Sequence, residues 1–363
     1  MRRIILGLLL IALSLLLFAR AGVLGRRTQL PEPALSPAVS EPAAPSPTPE
    51  PTQPPSPTPE PTPEPTPTPR PLRKPILCDF RIDAGFFEPA AERGTLLTDV
   101  AYSTPNFVSG AEEPVNKTMQ VYLPYGYDEN GQYDVLFLIH PRGCDDRFWL
   151  EQTHNYAWPE LDAPVDAVCM LDNLIERGLA RPMLVVSIRG YLDEQAMRVH
   201  DSAQIYPQME KEFAQVILPF VVEHFATYAE GGSREQLSAA REHFGVLGAS
   251  FGAFMEELSV LAPNLDLVSW YAMTGGGSVT RNYLEPIWKS SGTTGLPISL
   301  LYFIEGEFDD MGPIVSSVRD LAAWEGVFKA DGNLRFIQIN GIGHNETEWV
   351  TALYDAAQLF FRE

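Results

Sequence analysis

Ser250 is the residue whose neighbours point most directly to chemistry. It lies in Gly248-Ala249-Ser250-Phe251-Gly252, the only G-x-S-x-G segment of the chain. The apolar run Phe244 to Gly248 precedes the serine, and an apolar helical stretch, Phe251 to Leu261, follows it. This strand-turn-helix setting is typical of a nucleophile elbow, a sharp turn that projects a serine hydroxyl above a sheet. The segment therefore predicts a nucleophilic serine, and the alternative is an ordinary glycine-containing turn.

A serine hydroxyl is a weak nucleophile at neutral pH and needs a base. His344 is the best-placed histidine, because it lies in Gly341-Ile342-Gly343-His344-Asn345, directly after the strand-like run Leu334 to Ile339. Flexible glycines let such a loop carry an imidazole over the end of a sheet. The alternative is a solvated loop histidine. His140 ends a predicted core strand, and the histidines in helical or polar loop stretches are His154, His200, His224 and His243.

The base in turn needs a carboxylate that fixes its tautomer and stabilises its protonated form. Acidic residues follow the apolar run Ile298 to Ile304 in Glu305-Gly306-Glu307-Phe308-Asp309-Asp310. We predict Asp309 as the partner of His344, with Asp310 and Glu307 as close alternatives. For most of this acidic cluster the alternative is a solvated loop.

Acyl transfer also needs hydrogen-bond donors for the oxyanion that develops on the substrate. The backbone N–H of Phe251, the residue after the serine, is one predicted donor. The second is predicted in the loop His140-Pro141-Arg142-Gly143-Cys144, which follows the apolar run Val135 to Ile139. Because proline has no N–H, Pro141 cannot donate. Arg142 is therefore the predicted second donor.

Strands and helices must bring these residues together. Continuous apolar runs predict buried central strands at Val135–Ile139, Met183–Ile188, Phe244–Gly248 and Ile298–Ile304. A fifth run, Leu334 to Ile339, alternates more and is predicted nearer an edge, and Met119 to Pro124 is predicted as an antiparallel edge strand. The fold class predicted is α/β, with a mostly parallel central sheet and helices on both faces.

Helical spacing of apolar residues predicts helices at Val165–Arg177, Glu210–Tyr228 and Val315–Ala330. Pro164 falls at the predicted first turn of the first helix, and Pro219 is expected to kink or split the second. Residues 76–115 carry enough apolar side chains to pad the domain as an N-terminal extension, without forming a domain of their own.

The N-terminal part differs sharply in composition. Residues 1–30 carry Arg2 and Arg3, an apolar run and the small-x-small segment Ala19-Arg20-Ala21, which predict an export signal that is either cleaved or kept as a membrane anchor. Residues 31–75 hold 19 of the 33 prolines, so they predict a disordered Pro/Thr/Glu-rich linker, either a tether or a plain tail. Residues 76–363 are predicted to form one catalytic domain. The expected location is extracellular, either secreted or anchored to the outer face of the cytoplasmic membrane.

Charge and cysteine usage exclude several classes of partner. Residues 76–363 hold 18 basic and 42 acidic residues, so binding to nucleic acid is not expected. Cys78, Cys144 and Cys169 form no C-x-x-C pair and no cluster with histidine at zinc spacing, so no metal and no cofactor are predicted. The odd number leaves at least one thiol without a disulfide partner, and the pairing of the others stays open.

With these residues assembled, the chain resembles the α/β-hydrolase esterase family that contains feruloyl esterases, acetyl-xylan esterases and mycolyltransferases. The likeness covers residues 115–361 and includes Val121 to Tyr127, Leu138-Ile139-His140 with Trp149, and Gly343-His344 with Trp349 and the closing Leu359 to Phe361. The order Ser250, Asp309, His344 is that of α/β-hydrolases. Pro141 and Ala253 depart from the resemblance, because the family often has glycine at both positions.

The resemblance implies a serine carboxylic-ester hydrolase that acts through an acyl-serine intermediate. Its expected substrate is a small-molecule or polysaccharide-linked ester, with removal of feruloyl or acetyl groups from plant polysaccharide as one possibility. Two alternatives remain open from the sequence: an acyltransferase to a sugar or glycolipid, and a non-catalytic cell-surface module of the same fold. Membrane or cell-wall tethering through the N-terminus is compatible with each of these interpretations, and a cleaved signal followed by a plain tail is the alternative.

Overall fold

The structure, a computed structural model, describes residues 71–78, 81–111, 113–151, 165–310 and 314–362. The predicted signal or anchor segment and nearly all of the predicted linker lie outside the described residues, as do Pro164 and His154. In the described part of the chain, no helix has the length and apolar character needed to cross a membrane.

Eight strands form a single sheet, and their order across it is β1-β2-β4-β3-β5-β6-β7-β8. Their bounds are β1 Thr95–Thr104, β2 Val115–Leu123, β3 Asp134–Ile139, β4 Met183–Ile188, β5 Phe244–Ala249, β6 Trp270–Thr274, β7 Leu300–Gly306 and β8 Leu334–Ile339. The six strands from β4 to β8 across the sheet are parallel to one another. The continuous apolar runs are buried along their whole length, as expected for parallel strands covered on both faces.

Helices cover both faces of this sheet, so side chains along one strand enter two separate cores. Val135, Phe137 and Ile139 of β3 belong to one cluster, whereas Leu136 and Leu138 belong to the other. The helices are α1 Ala167–Glu176, α2 Glu194–Val199, α3 Ser202–Glu212, α4 Leu218–His224, α5 Arg234–Ala239, α6 Phe251–Met255, α7 Arg281–Ser291, α8 Ile314–Ala322 and α9 Glu346–Leu359. The predicted α/β fold class is confirmed.

The prediction that Met119–Pro124 forms an antiparallel strand is confirmed, because the strand is antiparallel to both neighbours. The prediction that it lies at the edge of the sheet is wrong. It forms part of β2, which lies between β1 and β4. The true edge, β1, falls in the segment interpreted as padding. Most of its side chains are exposed or half-buried, so it lacks the apolar run that marks an inner strand. Leu334–Ile339 forms β8 at the other edge, as predicted.

Two predicted helices are shorter or more broken than expected. In the predicted helix Glu210–Tyr228, a π-helical turn, Phe213–Ile217, separates α3 from α4, which ends at His224. Pro219 lies in the first turn of α4, where a missing N–H costs no hydrogen bond. The predicted helix Val315–Ala330 ends at Ala322, and turns follow it.

Residues before the predicted domain boundary already bind to the domain. The N–H of Arg73 donates to the carbonyl of Gly178 at 2.7 Å. The side-chain amide of Gln358 in α9 accepts from the N–H of Ile76 and donates to its carbonyl, both at 2.7 Å. Among the described residues, no disulfide joins the three cysteines, which are all half-buried.

Candidate active site

Ser250 occupies a strained turn between β5 and α6. Its backbone has φ 55° and ψ −117°, a region that residues other than glycine rarely adopt. Such a conformation costs of order 1–3 kcal/mol and persists only where its surroundings enforce it. The N–H of Ser250 donates to the carbonyl of Thr274, at the end of the neighbouring strand β6, over 2.8 Å. This bond ties the elbow to the sheet, as the sequence motif predicts for a nucleophile.

The two motif glycines are needed because backbone passes directly over them. A Cβ on Gly248 would lie 2.3 Å from the carbonyl oxygen of Gly252. A Cβ on Gly252 would lie 2.4 Å from the carbonyl oxygen of Ile139, the last residue of β3. Both distances are far below van der Waals contact. The glycines therefore allow the elbow to close on itself and to pack against the loop that follows β3.

The structure brings Ser250, His344 and Asp309 into one hydrogen-bonded row. Nε2 of His344 lies 2.8 Å from Oγ of Ser250, and Nδ1 of His344 lies 2.8 Å from Oδ2 of Asp309. These residues follow β5, β8 and β7, whose carboxyl ends meet at the same edge because the strands are parallel. The Ser250 residue is 7% exposed and the Asp309 side chain 1%, whereas the His344 side chain is 24% exposed, so the row is buried at both ends and partly open to solvent at the imidazole.

The choice among the three candidate acids follows from the turn after β7. The N–H of Asp309 donates to the carbonyl of Gly306 at 3.0 Å, and this turn directs the Asp309 carboxylate toward His344. Asp310 is exposed, and Glu307 instead accepts from the N–H of Gly341 at 2.9 Å. The structure thus brings Asp309 to the imidazole, and it places neither alternative there.

The predicted oxyanion donors lie where two elements meet, and their role stays a prediction. Phe251 is the first residue of α6, where backbone N–H groups have no acceptor within the helix. Arg142 is exposed in a turn closed by the N–H of Cys144, which donates to the carbonyl of Pro141 at 3.3 Å. Gly143 has φ +77° in that turn, a value that favours glycine.

His140 supports this loop, a role that the sequence did not reveal. Its Nε2 accepts from the N–H of Gly190 at 3.0 Å, so its proton is on Nδ1, which donates to the carbonyl of Pro141 at 2.8 Å. Burial lowers the pKa of His140 to about 4, and the imidazole is therefore neutral. A neutral ring in this tautomer fixes the peptide that joins Pro141 to Arg142 in the predicted oxyanion loop.

An aromatic group surrounds the residue that follows the serine. The ring of Phe251 stacks on Tyr191 at a centroid distance of 5.7 Å, and it contacts His200 at 4.2 Å and Tyr206 at 5.6 Å. Burial lowers the pKa of His200 to about 4, helped by the positive charge of Arg142. These side chains come from α2, α3 and the loops around them, so no local pattern in the sequence could have linked them to Ser250.

Aromatic packing also holds the imidazole. The rings of Trp349 and His344 meet edge to face, with centroids 5.3 Å apart. Gly275 has φ +59°, and a Cβ there would lie 2.9 Å from Nε1 of Trp349 and 3.0 Å from Nδ1 of His344. The glycine after β6 therefore leaves the space that both rings occupy.

One group of side chains has the spacing of a possible metal site. Asp309, His344 and Glu348 each place a ligand atom within 4.8 Å of the others. Two ligands of one tetrahedral zinc ion, each about 2.0–2.2 Å from it, lie roughly 3.3 Å apart. Nδ1 of His344 and Oδ2 of Asp309 are 2.8 Å apart, which fits a hydrogen bond between them instead.

Comparison with known proteins places this geometry in a known architecture. The chain is similar to a serine-to-alanine mutant of the feruloyl esterase module from Clostridium thermocellum in complex with sinapinate, with 21% identity and a TM-score of 0.63. That match covers 80% of this chain and 96% of the other. A ferulic acid esterase from Anaeromyces mucronatus matches with 18% identity and a TM-score of 0.57, over 79% of this chain and 98% of the other. The chain has the α/β-hydrolase fold.

Sequence comparison finds similarity to part of a larger protein. The chain is 26% identical over 263 residues to endo-1,4-beta-xylanase Y of Acetivibrio thermocellus. The match covers 68% of the chain but 22% of that protein, so the chain spans about a fifth of the length of the curated relative that it matches. No protein-family model matches the chain.

Proposed function

We propose that this α/β-hydrolase is a carboxylic ester hydrolase that acts through an acyl-serine intermediate. Ser250 is the nucleophile, His344 the general base and Asp309 the residue that orients the imidazole. The observation that carries this proposal is the row of two 2.8 Å hydrogen bonds from Ser250 to His344 and from His344 to Asp309. The row ends at a serine held in a strained elbow, which is the arrangement of a serine hydrolase.

The geometry supports a two-step reaction. Oγ of Ser250 attacks the ester carbonyl carbon while Nε2 of His344 takes its proton, and Asp309 stabilises the imidazolium that forms. The tetrahedral intermediate collapses as His344 returns the proton to the departing alcohol, which leaves an acyl-serine. Water, deprotonated by the same nitrogen, then attacks the acyl carbon and releases the acid and the free serine.

In this proposal the backbone N–H groups of Phe251 and Arg142 stabilise the oxyanion. Each donor is worth about 2.7–4 kcal/mol in comparable sites. Gly252 supports this assignment, since it lets the start of α6 lie directly against the backbone of Ile139 and His140, and His140 holds the Pro141 carbonyl of the loop. Proline at position 141, where the family often has glycine, is compatible with this oxyanion loop. Pro141 contacts His140 through its carbonyl, which accepts the hydrogen bond, and this contact needs no N–H on Pro141.

We propose an ester linked to plant polysaccharide as substrate, with a feruloyl or an acetyl group as the acyl part. Support comes from the similar proteins, which are two ferulic acid or feruloyl esterases and a xylanase. The aromatic group around Phe251 is chemically suited to an aryl acyl chain. Export through residues 1–30, and tethering of the domain by the linker, belong to the same proposal and rest on the sequence alone.

The test is a parallel assay of the purified protein on p-nitrophenyl acetate, methyl ferulate and acetylated xylan. Ser250→Ala should lower kcat by about 10⁶ on every substrate that the wild type cleaves. Ser290→Ala, a serine in the exposed last turn of α7, is the matched control and should leave kcat unchanged. Intact mass after a rapid acid quench should show an acyl adduct on the wild type. Ester hydrolysis that survives in Ser250→Ala would refute the proposal.

A further inference from the structure

Glu348 is a fully buried acid next to the Ser250–His344–Asp309 row. It lies in the first turn of α9, four residues after His344, and its exposed fraction is 0%. The ligand atoms of Asp309, His344 and Glu348 all lie within 4.8 Å of one another. A buried carboxyl group is costly unless it is neutral or well paired. No step of the proposed ester hydrolysis uses it, so its presence needs a reason.

One oxygen of Glu348 is joined to the nucleophile elbow. Oε1 accepts from the hydroxyl of Thr274 at 2.8 Å, and the carbonyl of Thr274 accepts from the N–H of Ser250, also at 2.8 Å. Thr274 is itself fully buried at the end of β6. Glu348 is therefore connected to Ser250 by a second route, separate from the one through Asp309 and His344.

The other oxygen is turned toward the loop that carries Asp309. Oε2 lies beside Gly306, where a Cβ would be 3.2 Å away, and Gly306 accepts from the N–H of Asp309. Oε2 is buried and makes no hydrogen bond of standard geometry to the residues that the structure describes. This is the oxygen that can share a proton with the Asp309 carboxyl group.

Electrostatics decides which of the two acids holds that proton. Burial and the nearby Asp309 carboxylate raise the pKa of Glu348 well above its usual range. Asp309 and His344 are the titratable groups that face Glu348 from the loops after β7 and β8, and Thr274 faces it from β6 with an uncharged hydroxyl. Since Asp309 accepts from the imidazole, the negative charge is more stable there. Glu348 is thus the neutral partner.

We propose that Glu348 is a positioning residue for the triad: its neutral carboxyl group donates to the Asp309 carboxylate and holds it toward Nδ1 of His344. The Thr274 hydroxyl fixes the Glu348 carboxyl plane, so the donor points at one place. The catalytic part of this inference rests on the proposed ester hydrolysis, whereas the placement of the Glu348 carboxyl group beside Asp309 does not. In metal sites, affinity or activity typically falls 10–100-fold when a side chain that orients a ligand is removed. We expect a loss of kcat of similar size when Glu348 can no longer orient Asp309.

Two substitutions of Glu348 test whether its carboxyl group acts as a hydrogen-bond donor or only packs in the core. Glu348→Gln keeps an acceptor for Thr274 and supplies an N–H for Asp309, so kcat should stay within about threefold of wild type. Glu348→Met has a similar length but no donor, and kcat should fall by about 10–100-fold. KM should be nearly unchanged in both, because a fully buried Glu348 does not touch the substrate.

Gln358→Met is the matched control on the same helix. Gln358 is also fully buried, and its amide bonds to Ile76 instead of the triad. This variant should lower the melting temperature while kcat stays at the wild-type value. A kcat loss in Gln358→Met as large as that in Glu348→Met would assign both effects to general destabilisation and overturn the proposal.

A direct readout distinguishes failure here from failure of the proposed function. The proton on Nδ1 of His344, followed by NMR, should shift in Glu348→Met and stay near its wild-type position in Glu348→Gln, whether or not the chain cleaves esters. The proposal is overturned if Gln fails to rescue, if Met matches wild type in kcat and NMR, or if a chelator abolishes activity that Zn²⁺ restores. Activity in Ser250→Ala would refute the proposed hydrolysis and leave the NMR comparison valid.

Discussion

The hydroxyl of Tyr191 accepts a hydrogen bond from the backbone N–H of Gly143 over an N···O distance of 3.3 Å. The same hydroxyl lies 3.3 Å from Nδ1 of His200. Burial lowers the pKa of His200 to about 4, so the ring is neutral, and the hydroxyl donates to Nδ1 in the tautomer that carries its proton on Nε2. Tyr191 therefore joins the loop after β3 to the left-handed residue at the end of α2. The loop that carries the predicted donor Arg142 is held from outside by one phenol.

Tyr191→Phe should therefore slow the chemistry without unfolding the protein. The loop would lose its anchor, and a small displacement of an oxyanion donor lowers rate steeply, so kcat should fall about tenfold. Tyr206→Phe is the control, because Tyr206 also packs on Phe251 but its hydroxyl bonds to Ser202. Both variants are measured on p-nitrophenyl acetate. Equal rates in the two variants would show that the loop needs no anchor at Tyr191.

Asp309→Asn should lower kcat by about 10⁴, because an amide cannot stabilise the imidazolium and favours the wrong tautomer. Asp310→Asn is the matched control, since Asp310 is exposed one residue further along the same loop. It should keep kcat within a few-fold of wild type. A severe loss in Asp310→Asn beside a near-normal Asp309→Asn would assign the acid to the neighbouring residue.

That Ser250, His344 and Asp309 come together could be predicted because each follows a strand that the sequence marks clearly. Ser250 and His344 sit beside glycines after apolar runs, and parallel strands bring their carboxyl ends to one edge of the sheet. The sequence could not decide as firmly whether Asp309 or Asp310 contacts His344. That choice depends on the backbone turn closed by the hydrogen bond from the N–H of Asp309 to the carbonyl of Gly306. Sequence spacing does not specify the side-chain direction in such a turn.

The elements that escaped prediction lacked a local signal. β1 is an edge strand with mostly exposed side chains, and β6 is five residues long within a longer apolar stretch, where a strand cannot be told from a buried helix. His140, Tyr191 and Glu348 act through contacts with residues that are distant in the chain, including Gly190, Gly143 and Thr274. Such long-range contacts become visible only when the fold is known.

Gly252→Ala should destabilise the domain strongly, because its Cβ would lie 2.4 Å from the carbonyl oxygen of Ile139. Backbone must move to relieve this overlap, and overpacking of this kind costs about 1–3 kcal/mol or more. Gly343→Ala is the control for stability, since its Cβ would meet Phe308 only at 3.7 Å or beyond. Melting temperatures should separate the two. A Gly252→Ala protein as stable as Gly343→Ala would contradict the close packing of the elbow.

Deletion of residues 1–70 should leave activity on a soluble ester within a few-fold of the full chain, because among the described residues the hydrogen bonds between the N-terminal segment and the rest of the domain begin at Arg73. Deletion of residues 1–78 removes the bonds of Arg73 to Gly178 and of Ile76 to Gln358. At about 1 kcal/mol for each bond, that loss should lower the melting temperature by several degrees. Equal melting temperatures for the two truncations would show that these bonds contribute nothing.

Glu257 should make the protein less stable as pH rises toward neutrality. It is 4% exposed, and burial raises its pKa to about 7, although its carboxylate accepts from the N–H of Ser278 at 2.7 Å. Between the unfolded pKa near 4.5 and about 7, the native state binds a proton that the unfolded state releases, so stability falls as pH increases. The loss is at most about 3 kcal/mol.

Glu257→Gln removes this titration and keeps an acceptor for Ser278, so its free energy of unfolding should exceed that of wild type more at pH 7 than at pH 5. Urea unfolding at both values measures the difference. Glu325→Gln, at an exposed position, removes one negative charge without removing a buried carboxyl group, and it controls for the change in net charge. If the gain from Glu257→Gln were the same at the two pH values, the proton would not be held by the native state at this site.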